Sequence, residues 1–185
     1  CMKIVESKGT MHVISAMKKY PQNDIIQCHA CACLSHVAHN DETERDNIVN
    51  GDGIDCILKA GKNYKSNPKV QYEVCVAILI LASRSNQNPE ALAKKGAIKL
   101  ITAAMKNHPD NIPVQQRGCA ALKALATNND ANKLEIAAQD GIKLISAAMT
   151  KHLQDIDVQT NGKEALAELE KHSKLVSKVA KVLKN

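Results

Sequence analysis

Four segments of the chain open in the same way, at a constant spacing of 44 residues. They begin at positions 9, 53, 97 and 141 and align without a gap as GTMHVISAMKKY, GIDCILKAGKNY, AIKLITAAMKNH and GIKLISAAMTKH. The phase also holds further along each unit, where an aliphatic residue is followed each time by a glutamine: Gln27, Gln71, Gln115 and Gln159. An internal period of this length is typical of an α-solenoid, whose stacked helical units usually hold another molecule.

The amino-acid composition narrows the class of protein further. Hydrophobic residues make up 44% of the 185 positions, but no apolar run approaches the roughly 20 residues that a membrane span needs. Phe and Trp are absent, so Ile, Leu, Val and Ala must fill the core. The net charge of +6 is a mild excess that does not by itself demand a nucleic-acid partner.

Within one unit, the apolar spacing and the helix breakers predict three helices. In the third unit, an Asn-Pro pair predicts a short first helix over 88–95, which Gly96 ends. A second helix is expected over 97–107, because the residue after it precedes Pro109 and therefore disfavours the α region. The third and longest helix is expected over 113–127.

One short and two longer helices per unit form the layout of the armadillo repeat, whereas two-helix units would indicate HEAT repeats. The segment GCAALKALATNNDANKLEIAAQDGIKLISAAM resembles an armadillo repeat, closest to those of protist armadillo proteins and large multidomain kinases. The resemblance covers nearly the whole chain and implies an all-α fold, a right-handed α-solenoid of about four repeats. The expected repeats are 1–42, 43–86, 87–130 and 131–172, with a capping or truncated-repeat helix over 173–185. Because both ends of the chain lie inside repeats, we expect a segment of a longer protein.

The resemblance also implies where a partner binds, because the third helices of armadillo proteins line a concave groove that takes peptides. Aligned units place three columns of residues along these helices, spaced i, i+4 and i+8 on one stripe. The candidate partner-binding residues on or beside this stripe are His36, Tyr72, Val76, Ile80, Gln116, Ala120, Lys123, Ala124, Glu164 and Glu168.

The chemistry of these columns argues against a basic ligand. Nuclear-import armadillo receptors carry Trp and Asn ladders there, which hold extended basic cargo. In this chain the corresponding positions are Ala32, Val76, Ala120 and Glu164 in one column and His36, Ile80, Ala124 and Glu168 in the other. The small apolar middle and acidic C-terminal end favour a helix or a peptide with apolar anchors. A second interpretation stays open, in which Val76 and Ile80 only pack against neighbouring helices.

A cluster of cysteines at 28–33 invites a metal site, but helical geometry argues against one. At about 100° per residue, Cys31 and Cys33 point roughly 160° apart and cannot share an ion. We therefore expect no metal and interpret these side chains as unpaired core thiols. Seven cysteines, an odd number set mostly within helices, predict a reducing compartment: the cytoplasm, with the nucleus also possible.

The C-terminal stretch is basic and amphipathic, with Lys171, Lys174, Lys178, Lys181 and Lys184 and no acid. Such a helix can bind nucleic acid or an anionic membrane surface, although a capping helix with a solvated lysine face is the favoured interpretation. No phosphate-binding glycine loop and no nucleophile elbow occurs in the sequence. We therefore expect no enzyme activity, no cofactor and no small-molecule substrate.

Taken together, these patterns predict a non-enzymatic scaffold that binds a peptide or a helix of another protein in the groove of the third helices. Two alternatives are a regulatory arm of a larger multidomain enzyme such as a kinase, and a basic binder of nucleic acid or membrane through the lysine-rich helix. The sequence leaves the oligomeric state open.

Overall fold

A computed structural model of the chain describes residues 9–83 and 88–182, with side chains described up to Lys171. These ranges contain eleven α-helices and no strand, which confirms the all-α prediction. None of the described helices has the length and hydropathy needed to cross a membrane. The helices are α1 Gly9–Lys19, α2 Asp24–Asn40, α3 Glu42–Asn50, α4 Gly53–Asn63, α5 Pro68–Ala82, α6 Asn88–Lys94, α7 Ala97–Asn107, α8 Ile112–Ala126, α9 Asp130–Ala138, α10 Gly141–Lys151 and α11 Ile156–Val182.

The period seen in the sequence is a period of helices. Four helices of 11 residues each, α1, α4, α7 and α10, begin at the four aligned openings. Each leads into a longer third helix (α2, α5, α8 or α11), and the shorter α3, α6 and α9 come first in their units. Gly96 ends the short helix of its unit with a left-handed φ of 92°, a conformation that glycine adopts without steric cost. The expected first helix of the first unit lies largely at 1–8, outside the described residues.

The third helices begin where a side chain caps them. Asn23, Asn67 and Asn111 precede α2, α5 and α8, and each amide oxygen accepts a hydrogen bond from a backbone N–H of the first turn. Asp155 does the same for α11, accepting from Val158 N at 2.8 Å. Because such caps satisfy N–H groups that have no partner inside the helix, the third helix of the third unit begins at Ile112, one residue before its expected start.

The core is a continuous aliphatic layer in which the third helices of successive units pack side by side. The most extensive contacts between helices join α2 to α5, α5 to α8 and α8 to α11. Two columns of the 44-residue repeat lie in this layer, with half-buried members at the ends of the array, Val13 and Leu166. The other members are Ile57, Ile101 and Ile145 in one column and Leu34, Ile78 and Leu122 in the other. All six are 0% exposed. Aliphatic side chains therefore fill the core without Phe or Trp.

The repeating glutamine joins the second and third helices inside every unit. In the third unit, Gln115 Nε2 donates to Met105 O and to His108 O, both at 2.8 Å. The other three glutamines make the same two bonds, to the carbonyls ten and seven residues before them. The first of these carbonyls lies in the last turn of the second helix and has no partner within it. The second lies just beyond that helix and also accepts a hydrogen bond from the backbone of the residue that caps the third helix. The glutamine column thus fixes the corner between the two helices in each unit.

A second column joins each unit to the one before it. Tyr64 Oη donates to Pro21 O at 3.1 Å. One and two units later, the Nε2 atoms of His108 and His152 lie 2.7 and 2.8 Å from Lys65 O and Pro109 O. Because a carbonyl only accepts, the Nε2 of each histidine carries the proton. These rings therefore connect adjacent corners.

Candidate functional site

The third-helix face consists of three columns on α2, α5, α8 and α11. The columns are Cys28, Tyr72, Gln116 and Thr160; Ala32, Val76, Ala120 and Glu164; and His36, Ile80, Ala124 and Glu168. Seven of these twelve side chains are half-buried, and three are exposed: His36, Thr160 and Glu164. Ala120 and Glu168 are the buried members, at 9% and 8% exposure.

Some apolar side chains of this face pack against the core, whereas Val76 does not. Tyr72, Ile80 and Ala124 are half-buried and pack against the core. Val76 is also half-buried, but it does not belong to that core cluster. Packing therefore accounts for part of this face, whereas Val76 leaves an apolar surface open at its centre.

One cavity lies towards the N-terminal ends of the third helices. Its volume is about 520 Å³, and we call it the Tyr72 cavity. Tyr72, Gln116 and Cys28 line it together with Lys69 and Glu73. Burial raises the pKa of Glu73, and the nearby His29 partly offsets this effect.

A second cavity lies towards the C-terminal ends of the same helices. Its volume is about 530 Å³, and we call it the Arg117 cavity. Ala120, Lys123 and Ala124, all expected as partner-binding residues, line it together with Arg117. Volumes of this size are typical of ligand sites, so the third-helix face offers a cavity at each end of its apolar centre.

Two of the expected binding residues are engaged with the next unit. Gln116 Nε2 donates to Asp155 Oδ1 at 3.0 Å, and this bond is the main reason that the pKa of Asp155 is lowered. Lys123 Nζ lies 2.8 Å from the carboxylate of Glu164, with both side chains nearly half exposed. Such exposed pairs contribute little to stability.

Glu168 is placed differently, because its carboxylate is buried in a joint between helices. It accepts from Lys133 of α9 at 3.2 Å and from Lys171 one turn further along α11. Burial raises the pKa of Glu168, but the hydrogen bonds from the two lysines outweigh it and the net shift is downward. Both acids of the expected acidic end are thus neutralised within the fold.

Arg117 is the functional candidate that sequence reasoning missed. Its column, which also contains His29, Glu73 and Asn161, varies in sequence, and such variation is typical of a solvated face. Instead, Arg117 is half-buried in the cavity that bears its name. Its Nε is buried without a hydrogen-bond partner, and no ion pair of Arg117 occurs among the described residues. The sequence offers one signal: alanines follow Arg117 one helical turn later, which leaves space beside its side chain.

The cysteines of the described residues are all free thiols. Cys31, Cys75 and Cys119, which occupy the same position in successive units, are fully buried in the core. Burial raises the pKa of both Cys75 and Cys119 to about 12, so these thiols stay protonated at neutral pH. In the same part of the chain, no group of His, Cys, Asp and Glu is arranged to hold a metal ion.

The lysine-rich end is described only as backbone. The helix that begins at Ile156 continues without a break to Val182, across the expected boundary at residue 172. Lys174, Lys178, Lys181 and Lys184, expected to form a basic face, have side chains outside the described residues. The proposed membrane or nucleic-acid surface therefore stays a prediction.

The chain matches the sequence model of the LRRK2 ARM repeat over residues 5–184. No curated protein matches it. Two engineered proteins, both crystallised as targets of the Northeast Structural Genomics Consortium, have similar folds. The first has a TM-score of 0.78 at 19% identity and covers 91% of this chain, which spans 65% of that protein. The second has a TM-score of 0.75 at 23% identity, with 90% and 38% covered. At these identities the likeness concerns the fold alone.

Proposed function

The chain belongs to the LRRK2 ARM-repeat family, and from this premise we propose that it is a non-enzymatic scaffold that binds a segment of another protein along its third-helix face. The observation that carries the proposal is the half-buried apolar surface around Val76 and Tyr72, with a cavity of more than 500 Å³ at each end. A segment lying across the third helices would place side chains in both cavities at once.

The mechanism that this arrangement supports is rigid display. The glutamine and ring columns fix each corner by hydrogen bonds, so the third helices keep their spacing whether or not a partner is present. A partner that binds a preformed surface avoids the cost of ordering it. The free thiols favour a reducing compartment, and we propose the cytoplasm as the place of action.

A selection from a displayed library of random peptides tests the proposal directly. Peptides selected on the wild-type chain should bind at least tenfold more weakly to a Tyr72→Ala, Val76→Arg variant. The arginine at position 76 removes the apolar surface and blocks the path between the two cavities. Ala103→Arg is the matched control, since Ala103 is half-buried on a second helix and lines neither cavity.

Both variants should keep the helical circular dichroism of the wild type. Equal binding of the selected peptides by the wild type and the double variant would exclude the third-helix face as their site. An equal loss of peptide binding in the double variant and in Ala103→Arg would indicate a general defect of the fold rather than a binding site.

A second candidate function is a regulatory arm of a larger multidomain enzyme. The match to the ARM repeat of LRRK2 favours it, because the sequence already resembles the armadillo regions of multidomain kinases. The gene that encodes this chain tests this candidate. A catalytic domain in the same open reading frame supports the regulatory arm, and the absence of such a domain removes this candidate.

A further inference from the structure

The Arg117 cavity has a positive charge that the fold leaves unbalanced. Of the described residues that line it, two are cationic, Arg117 and Lys123, and none is acidic. Lys123 is paired with Glu164 outside the lining, at 2.8 Å, whereas Arg117 has no pair among the described residues. Arg117 is therefore the free charge of this cavity.

The neighbouring acids cannot neutralise Arg117 without breaking other contacts. Glu164 is bonded to Lys123, and Asp155 accepts from Gln116 and from the backbone of Val158. Glu73, in the same column one unit earlier, lines the other cavity and forms no ion pair with the arginine. A guanidinium without a hydrogen-bond partner is unfavourable. Because the Nε itself is buried, a ligand in the cavity supplies its acceptor to the terminal nitrogens of Arg117.

We propose that the Arg117 cavity is a subsite for the carboxylate of an aspartate or glutamate side chain on the bound segment. This inference rests on the proposed function and specifies the chemistry of one end of the partner. The guanidinium offers parallel N–H donors that match a carboxylate in a two-pronged hydrogen bond. Ala120 and Ala124, which are small, leave the room that the incoming side chain needs.

The remaining polar groups of the cavity suit a peptide rather than a free ion. Ser83, Thr127 and Asn161 line it as well and can bond the main chain on either side of the acidic residue. A doubly charged phosphate would require a second free cation, and Lys123 is already bonded to Glu164. Charge and size therefore favour a carboxylate over a phosphoserine.

Four fluorescein-labelled hexapeptides that differ at one central position test the subsite. The position is Glu, Gln, phosphoserine or Lys, and the flanking residues are Leu and Ala to suit the apolar centre of the face. The Glu peptide should bind about tenfold tighter than the Gln peptide, which is the size expected for a charge-assisted hydrogen bond. In a nitrogen-15 spectrum, the same peptide should shift the Nε–Hε signal of Arg117.

Three variants assign the effect to the arginine. Arg117→Gln should abolish the preference for Glu, and Arg117→Lys, which keeps the charge but loses the planar fork, should retain only part of it. Lys99→Gln is the matched loss of charge, because Lys99 is exposed on α7 and lines neither cavity of the third-helix face. This control should keep the full preference.

Equal affinity for the Glu and Gln peptides overturns the subsite, and so does a preference that survives in Arg117→Gln. Phosphoserine that binds tenfold tighter than Glu overturns the assignment to a carboxylate. If all peptides bind equally and Tyr72→Ala, Val76→Arg weakens them all, the subsite fails while the scaffold function stands. If no peptide shifts any signal of the third-helix face, both proposals fail.

Discussion

Gln115 shows how much one residue can determine in a repeat protein. It is 2% exposed, and its amide satisfies two carbonyls at the end of α7. Gln115→Ala should lower the free energy of unfolding by about 1–2 kcal/mol, because Met105 O would lose its donor while His108 O keeps only the bond from Asn111 N. Urea denaturation measures the loss. Gln139→Ala, at an exposed position, is the control and should change stability by less than about 0.5 kcal/mol.

Glu168 makes the stability of the fourth unit depend on pH. Its pKa is lowered from 4.5 because the bonds from Lys171 and Lys133 outweigh the effect of burial. A carboxyl with a lowered folded-state pKa stabilises the fold above its unfolded pKa, and this contribution disappears as the pH falls through the folded value. Wild type should therefore melt at a higher temperature than Glu168→Gln above pH 4.5, and the two should converge at lower pH.

Thermal melting between pH 7 and pH 2.5 checks this prediction. Glu135→Gln is the control, since Glu135 is half-buried and forms no ion pair among the described residues. The difference in melting temperature between Glu135→Gln and the wild type should not disappear below pH 4.5 as it does for Glu168→Gln. A constant difference between wild type and Glu168→Gln over this range would contradict the role given to the carboxylate.

At the scale of the element, the corners between second and third helices hold neighbouring units together. The Nε2 of His108 donates to Lys65 O of the preceding corner at 2.7 Å, and Tyr64 makes the equivalent contact one unit earlier. His108→Phe should lower the free energy of unfolding by about 1 kcal/mol, because the ring stays but the donor is lost. His108→Tyr should remain closer to wild type, since a tyrosine already fits this position in the previous unit. Urea denaturation compares the two, and equal losses would show that ring packing alone matters.

The sequence predicts the elements well because each depends on local signals. Apolar columns and Pro breakers define α7 as it occurs, and the core columns of Ile101 and Leu122 are buried. The partners of polar residues are harder to predict, because they depend on the angle between helices. Gln115 was visible as a repeated glutamine, but nothing local indicates which carbonyls it meets.

The same limit applies to the candidate site. The third-helix columns could be assigned from the 44-residue period, yet their exposure could not. Glu168 meets Lys133 of a different helix, 35 positions earlier in the chain, so an apparently acidic surface is internally neutral. Arg117 lies in a variable column that would ordinarily be interpreted as solvated. Contacts between helices that are distant in the sequence decide both cases, and the local sequence pattern does not contain that information.

At the scale of the whole molecule, stability should be transmitted from unit to neighbouring unit. Leu122 is 0% exposed at the centre of α8, which packs on both α5 and α11. Leu122→Ala should lower stability by about 2–5 kcal/mol and broaden the urea transition, because a weakened middle lets the two ends unfold separately. Leu134→Ala, at a position 58% exposed, is the matched control and should leave the transition sharp. A single sharp transition in Leu122→Ala would contradict this nearest-neighbour behaviour.

The joint formed by Tyr64, His108 and His152 also bears on how such an array changes its length over evolution. Each ring meets a main-chain carbonyl, which a proline provides in two joints and a lysine in the third, so the acceptor does not depend on one side chain. A unit that is duplicated in frame therefore carries its own ring donor, and the unit before it already provides the carbonyl acceptor. After an in-frame deletion, the ring of the following unit meets the carbonyl of the preceding unit in the same way. Descendants of one ancestral gene can gain or lose whole units while every junction keeps the same bond.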